Sequence, residues 1–179
     1  MVPQLSESQL TELAAALSEV PRLLGQRKLA EAKQSLQRAQ ALERQGAEGP
    51  HSARVRRMEL LCDYVEQFWD AVRQGMPGVE GEDLHFGEMV IHVSVANERG
   101  IRYRDRGRNV TWRFYEMPAQ LARAIAEKWL DDRPTSQIFL GAFMAVDPKY
   151  GVEKARQRWQ RARQGGAPVD ELMPILDEL

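Results

Sequence analysis

The feature that most constrains the fold is a change of hydrophobic period in the middle of the chain. Before residue 76 and after residue 117, apolar residues recur at the spacing of amphipathic helices. Between these limits the period falls to two, as in Met89, Ile91, Val93 and Val95, and this pattern predicts β-strands. Because a few short strands cannot bury both of their faces, helices must cover one side of the sheet. The chain is therefore predicted to be an α+β protein that is mostly helical.

The region before the sheet is predicted to form a helical hairpin followed by a long helix. Ser6, with Gln9 three residues later, has the pattern of a capping box and predicts the first helix start. Pro21 lies inside the first run and lacks the amide for a helical hydrogen bond, which predicts a kink or a restart near residues 18–20. A break is predicted at residues 46–50, which are rich in glycine and end in proline. The second and third helices are predicted over residues 28–44 and 52–74.

The central region is predicted to be a small antiparallel module. Alternation over residues 89–95, 101–104 and 110–114 predicts three strands, joined by hairpin loops rich in turn-forming residues. A fourth strand at residues 83–86 is left open, and it would make the module resemble a small SH3-like half-open barrel. The chain then divides into residues 1–75, 76–117 and 118–179, which we expect to form one compact unit.

The C-terminal region is predicted to consist of helices over residues 118–130, 138–146 and 152–164. Trp129 is predicted to lie in the core, on the apolar stripe of the first of these helices. The last helix is basic, with lysines and arginines from Lys149 to Arg163, and the tail after residue 169 is acidic. We expect the tail to dock on this helix.

Composition narrows the class of protein. Cys62 is the only cysteine, so no internal disulfide can form, which favours a reducing compartment. The first residues have neither the basic nor the apolar region of a leader, and no long apolar run follows. These features predict a cytoplasmic location and no membrane partner. The net charge of −1 argues against a chain that binds polyanions over its whole surface.

The sequence offers few residues for chemistry. His51, His85 and His92 do not have the spacing of zinc ligands, and no other residues complete such a pattern. Cys62 stands among apolar positions of the third helix, which predicts a buried, unreactive thiol. No phosphate-binding loop or dinucleotide fingerprint is present. We therefore predict no catalytic, metal-binding or cofactor-binding residue and no cofactor.

Two segments resemble parts of tetratricopeptide or Sel1-like helical repeats. In residues 27–45, Ala32 and Ala39 are seven apart, as where paired helices of such repeats touch. In residues 138–166, Leu140-Gly141 is followed by Ala155, Trp159, Ala162 and Gly165, in the order typical of those families. Arg44 departs from the pattern, since a proline is usual there, and the segments are not tandem. The resemblance implies protein–protein interaction and no catalytic residue.

Arginines in the predicted hairpins are the main candidates for binding. Tyr103, Trp112 and Phe114 alternate with them, and basic β-modules that carry aromatic rings can bind single-stranded nucleic acid. The same alternation points these rings inward and the arginines outward, as on a solvated face that protects an edge strand from aggregation. An acidic protein partner is the third interpretation. The arginines are Arg99, Arg102, Arg104, Arg106, Arg108 and Arg113.

From these patterns we predict a non-enzymatic protein-interaction or scaffold domain. The alternative is a nucleic-acid-binding module that uses the arginine-rich hairpins. The sequence fixes neither the identity of the partner nor the oligomeric state.

Overall fold

The structure is a computed structural model that describes residues 5–46 and 51–179. Three helices precede the sheet: α1 (Glu7–Gly25), α2 (Leu29–Glu43) and α3 (Ser52–Gly75). Helices α1 and α2 form an antiparallel hairpin, in which the side-chain amide of Gln9 donates to Gln45 Oε1 across 3.0 Å. These three helices match the helices predicted before the sheet. The predicted break at residues 46–50 lies outside the described residues, except for Gly46.

Helix α1 begins as predicted but does not restart at its proline. The amide of Gln9 donates to Ser6 Oγ, and the amide of Ser6 donates to Gln9 Oε1, which confirms the capping box. Pro21 lies inside one continuous helix, so the expectation of a restart is wrong. The buried stripe continues on both sides of Pro21, through Val20 and Leu24. Burial of this stripe outweighs the loss of one backbone hydrogen bond.

The sheet is an antiparallel meander of four strands in the order β1-β2-β3-β4, which confirms the four-stranded alternative. The register shifts between Val93 and Val95, so that Ala96 is buried and Val95 is only half-buried. The predicted inward position of Val95 is therefore wrong, because a bulge places one extra residue in this strand. The strands are β1 (Asp83–Phe86), β2 (Met89–Asn97), β3 (Gly100–Asp105) and β4 (Arg108–Arg113).

Helix and turn residues cover the inner face of the sheet mainly at β1, β2 and β3. A 3₁₀ turn at Met76–Gly78 packs on β2, and a second at Phe114–Glu116 packs on β3. Phe114 is buried in the second turn and does not continue β4, contrary to the predicted alternation. Strand β4 packs chiefly on β3 and therefore lies at the margin of the covered region.

Three helices follow the sheet: α4 (Ala119–Trp129), which packs on α3 and β1, then α5 (Pro134–Val146) and α6 (Val152–Gln164). Helix α5 begins earlier than predicted, because Pro134 occupies its first turn, where a missing amide costs no helical bond. Helices α5 and α6 approach closely and antiparallel. A Cβ on Gly141 would lie 2.4 Å from Trp159 Nε1, and one on Gly165 would lie 2.4 Å from Pro134 Cγ. A 3₁₀ turn at Met173–Asp177 ends the ordered elements.

The core is built around α3. Phe68 of this helix stacks on Phe143 of α5, with ring centroids 3.8 Å apart. Trp129 is 57% exposed, so its predicted place in the core is wrong. The buried stripe of α4 reaches only as far as Ala126. Trp129, the last residue of this helix, lies beyond the stripe. None of the helices in the described ranges is both long and apolar enough to cross a membrane.

Arg27 links three parts of the molecule. It follows α1 in the left-handed conformation, with φ of 63°. Its guanidinium donates to the carbonyls of Tyr115 and Met117 and lies 3.4 Å from the carboxylate of Asp147, and its centre is 5.3 Å from the centroid of the Trp69 ring. Asp147 is buried and Arg27 is half-buried. This contact ties the end of the sheet module to the helical hairpin and to α5.

Candidate interaction surface on the sheet

The outer surface of β3 and β4 carries three arginines. Arg102 and Arg104 alternate with the buried Ile101 and Tyr103 on β3, and Arg113 ends β4. Because side chains alternate along a strand, all three project to the side of the sheet away from the helices. We call these three residues the arginine face. The alternation therefore predicted their direction correctly.

The other three candidate arginines lie elsewhere on the hairpins. Arg99 is in the turn between β2 and β3, and Arg106 is in the turn between β3 and β4. Arg108 is opposite Asp105 and shares the alternation of Val110 and Trp112. It therefore projects to the inner side of the sheet, and its predicted outward direction is wrong. The alternation of β4 starts anew after the hairpin turn, so the outward direction of Arg102 and Arg104 on β3 does not carry over to Arg108.

The cross-strand neighbours of Arg102 and Arg104 on the outer surface are not acidic. Arg104 lies between His92 and Asn109 in the register, and Arg102 lies opposite Thr111. The nearest carboxylate in the row of Arg104 is Asp83, which lies beyond His92 and 2.9 Å from its Nδ1 atom. No acidic residue occupies a position next to Arg102 or Arg104 across the strands.

These arginines have little internal compensation for their charge. In the described part of the chain, Arg113 is 3.7 Å from Glu116 in an exposed pair, which contributes little. Within the same ranges no carboxylate lies within 4.0 Å of a guanidinium nitrogen of the other five. Those five are Arg99, Arg102, Arg104, Arg106 and Arg108.

The sheet is strongly polarised in charge. Residues 79–98, which include β1 and β2, contain five carboxylates and no lysine or arginine. Residues 99–113, which include β3 and β4, contain six arginines and one aspartate. The positive charge is therefore localised at one end of the sheet, next to a negative region. A localised patch of this kind is complementary to a negative patch of similar size on a partner.

Three arginines of the second basic cluster, Arg156, Arg158 and Arg163, are paired with carboxylates of the chain itself. Arg156 on α6 is 3.0 Å from Asp177, and Arg163 is 3.1 Å from Asp170. These contacts confirm that the acidic tail docks on the basic helix. Arg158 on the same helix lies 3.5 Å from Glu127 of α4, and the low-polarity surroundings lower the pKa of its guanidinium.

The aromatic side chains of the hairpins do not form part of the arginine face. Tyr103 is buried and Trp112 is half-buried, and Trp112 Nε1 donates to the hydroxyl of Tyr103 across 3.3 Å. Phe114 is buried against Trp69. Non-specific binding of single strands uses exposed rings on which bases stack. In the described residues the outer surface of β3 and β4 offers no such ring.

Residues that could support other chemistry are separated in the structure. Cys62 is buried, as predicted, and burial raises the pKa of its thiol to about 12. His85 and His92 are exposed on the sheet, and His51 precedes α3. Within the described ranges no group of histidine, cysteine and carboxylate side chains has the arrangement of a metal site.

Open grooves lie on the surface of the described residues. An open groove of about 460 Å³ runs along α1 and α2, lined by small residues and by Glu19, Arg22 and Arg38. Glu19 already accepts hydrogen bonds from Ser35 and Arg38, which hold the pKa of its carboxyl below its usual value. A smaller groove lies beside Arg27, whose guanidinium is occupied by the contacts described above. No signal in the sequence marked Arg27, because its partners are far away along the chain.

Comparison with known proteins yields no relative: no family model, no curated protein and no solved structure matches this chain. The resemblance to helical repeats therefore stays a prediction.

Proposed function

We propose that this chain is a non-enzymatic interaction domain that binds an acidic protein partner through the arginine face. The observation that carries the proposal is the contrast between arginines. Arg156 and Arg163 of α6 are paired with carboxylates of the tail, whereas Arg102 and Arg104 have no carboxylate within ion-pair distance in the described residues. Arg102 and Arg104 lie on one side of the same strand, and like charges this close repel each other, so a surface that keeps them gains when an acidic partner binds.

An acidic protein fits this surface better than a single-stranded nucleic acid. The rings of Tyr103 and Trp112 face inward and cannot stack on bases. The adjacent β1 and β2 region is acidic and would repel a long phosphate backbone. Nucleic-acid binding is thus the second candidate, supported by the density of arginines alone, and the experiment below separates the two.

The test is fluorescence anisotropy of three labelled probes, an oligoglutamate peptide, a single-stranded RNA and a single-stranded DNA, at about 50 and 200 mM salt. The test variant is Arg102→Ala/Arg104→Ala/Arg113→Ala. The matched control, Lys128→Ala/Lys149→Ala/Arg161→Ala, removes the same charge from other exposed positions.

We expect oligoglutamate to bind the parent chain and the control, and to bind the test variant at least about tenfold more weakly, a change of about 1.4 kcal/mol. Binding of RNA or DNA that is tighter than that of oligoglutamate and falls steeply with salt would favour the nucleic-acid alternative. Failure of oligoglutamate to bind at low salt, or equal loss in both variants, would contradict the proposal.

A further inference from the structure

The edge of the sheet at β4 has no neighbour in the described residues. Strand β4 pairs with β3 on one side, and no described strand pairs with its other side. The opposite edge, β1, is contacted by α4. An exposed edge presents a row of backbone donors and acceptors that can pair with an extended chain.

The turn before β4 fixes which backbone groups point to the open edge. Arg106 and Gly107 both have positive φ, 47° and 80°, as in a type I′ hairpin turn. In this turn the flanking pair, Asp105 and Arg108, is hydrogen-bonded, and hydrogen-bonded and non-hydrogen-bonded pairs then alternate along the ladder. The amides and carbonyls that point to the open edge therefore belong to Asn109, Thr111 and Arg113.

The two sides of β4 differ in chemistry. On the inner side, Val110 and Trp112 pack against the core but stay half-buried, because the helices and turns cover chiefly the earlier strands. On the outer side, Arg113 is the residue of the arginine face that lies nearest to the open edge. Neighbouring strands are about 4.8 Å apart, so the outer side chains of an added strand would stand one strand from Arg113 and two from Arg102.

From this geometry we infer that the acidic partner binds as an extended segment that adds a fifth strand at β4. Its side chains alternate between acidic residues, which face the arginine face, and apolar residues, which cover Val110 and Trp112. Backbone hydrogen bonds to Asn109, Thr111 and Arg113 supply affinity that does not depend on charge. This inference rests on the proposed function and specifies the conformation and the pattern of the partner.

The test compares two peptides, one of alternating glutamate and valine and one of glutamate alone with the same number of glutamates. Thr111→Pro removes an amide that points to the open edge and leaves the pairs with β3 intact, since proline is tolerated at such positions of edge strands. Thr111→Ala is the matched control, because it changes the side chain and keeps the amide.

We expect Thr111→Pro to weaken the alternating peptide by about tenfold or more, and Thr111→Ala to change it by less than about twofold. The glutamate-only peptide should bind both variants equally. Equal binding of the alternating peptide to both variants would overturn strand addition and leave the proposed function standing. Failure of both peptides to bind the parent chain would contradict the proposed function itself.

Hydrogen exchange of the unmodified chain gives a second measurement that does not depend on how Thr111→Pro folds. The alternating peptide should slow exchange of the amides of Asn109, Thr111 and Arg113. Unchanged exchange at saturating peptide would overturn the inference. Self-association of the parent chain that Thr111→Pro abolishes would assign the edge to a second copy of this chain and would also overturn it.

Discussion

Two regions of this molecule are rich in arginine, and the fold treats them differently. Several arginines of α6 and α3 face carboxylates that the C-terminal tail brings to them, as between Arg156 and Asp177 and between Arg57 and Glu178. The arginine face of the sheet receives no such residue from the described chain, apart from the exposed contact of Arg113 with Glu116. The net charge per residue of α6 is close to that of residues 99–113, so charge density alone does not mark a binding surface.

The difference also appears in what the arginines contribute to stability. Arginines that meet buried or partly buried carboxylates hold distant parts of the chain together, and removal of one partner leaves the other unpaired. Arginines on the open sheet are solvated, and their removal costs the fold little. The predictions below test this division, from the largest expected effect to the smallest.

Arg27→Met should give the largest loss of stability. It leaves the carbonyls of Tyr115 and Met117 without this donor and the buried carboxylate of Asp147 without its cation, while the amide of Lys149 still donates to that carboxylate. Breaking a buried ion pair costs about 3–5 kcal/mol in free energy of unfolding, which lowers the melting temperature by roughly 10 °C in a chain of this size. Thermal and urea unfolding measure this. Arg22→Met, which breaks an exposed pair with Glu19, is the control and should cost less than about 1 kcal/mol.

Glu178→Ala should give an intermediate loss. The carboxylate of Glu178 contacts Arg57 and lies 3.7 Å from Arg54, and these side chains are mostly buried. We expect a loss of about 2 kcal/mol in free energy of unfolding, because two partly buried guanidinium groups lose their partner. Glu171→Ala breaks an exposed contact with Arg56 and should cost about 0.5 kcal/mol or less. Equal losses in the two variants would argue against a structural role for the tail.

The parts of the structure that could be predicted from the sequence are those that depend on local patterns. Hydrophobic period identified the helices and strands, and the alternation of Tyr103 with Arg102 and Arg104 gave the direction of two arginines, because such patterns are local. Trp129 and Val95 were predicted wrongly, since the end of a buried stripe and a bulge depend on tertiary packing. Whether an arginine is compensated depends on carboxylates far along the chain, and no local pattern contains that information.

Arg102→Ala/Arg104→Ala/Arg113→Ala should have the smallest effect on stability. The three side chains have no strong partner within the described residues, so the free energy of unfolding should change by no more than about 0.5 kcal/mol. At low salt the variant should be equal to or slightly more stable than the parent chain, because repulsion between Arg102 and Arg104 is relieved. Urea unfolding at low and high salt measures this. A loss above about 2 kcal/mol would mean that the arginine face stabilises the fold, which would break the comparison.

The most direct test of the central claim observes the two groups of arginines in one experiment. The Nε–Hε resonances of arginine in the ¹⁵N-labelled full chain are recorded by NMR while the oligoglutamate peptide is added. The account predicts shifts for Arg102, Arg104 and Arg113, with the resonances of Arg156 and Arg163 unchanged because the tail already occupies them. Shifts of Arg156 and Arg163, or equal shifts of all arginines, would contradict it.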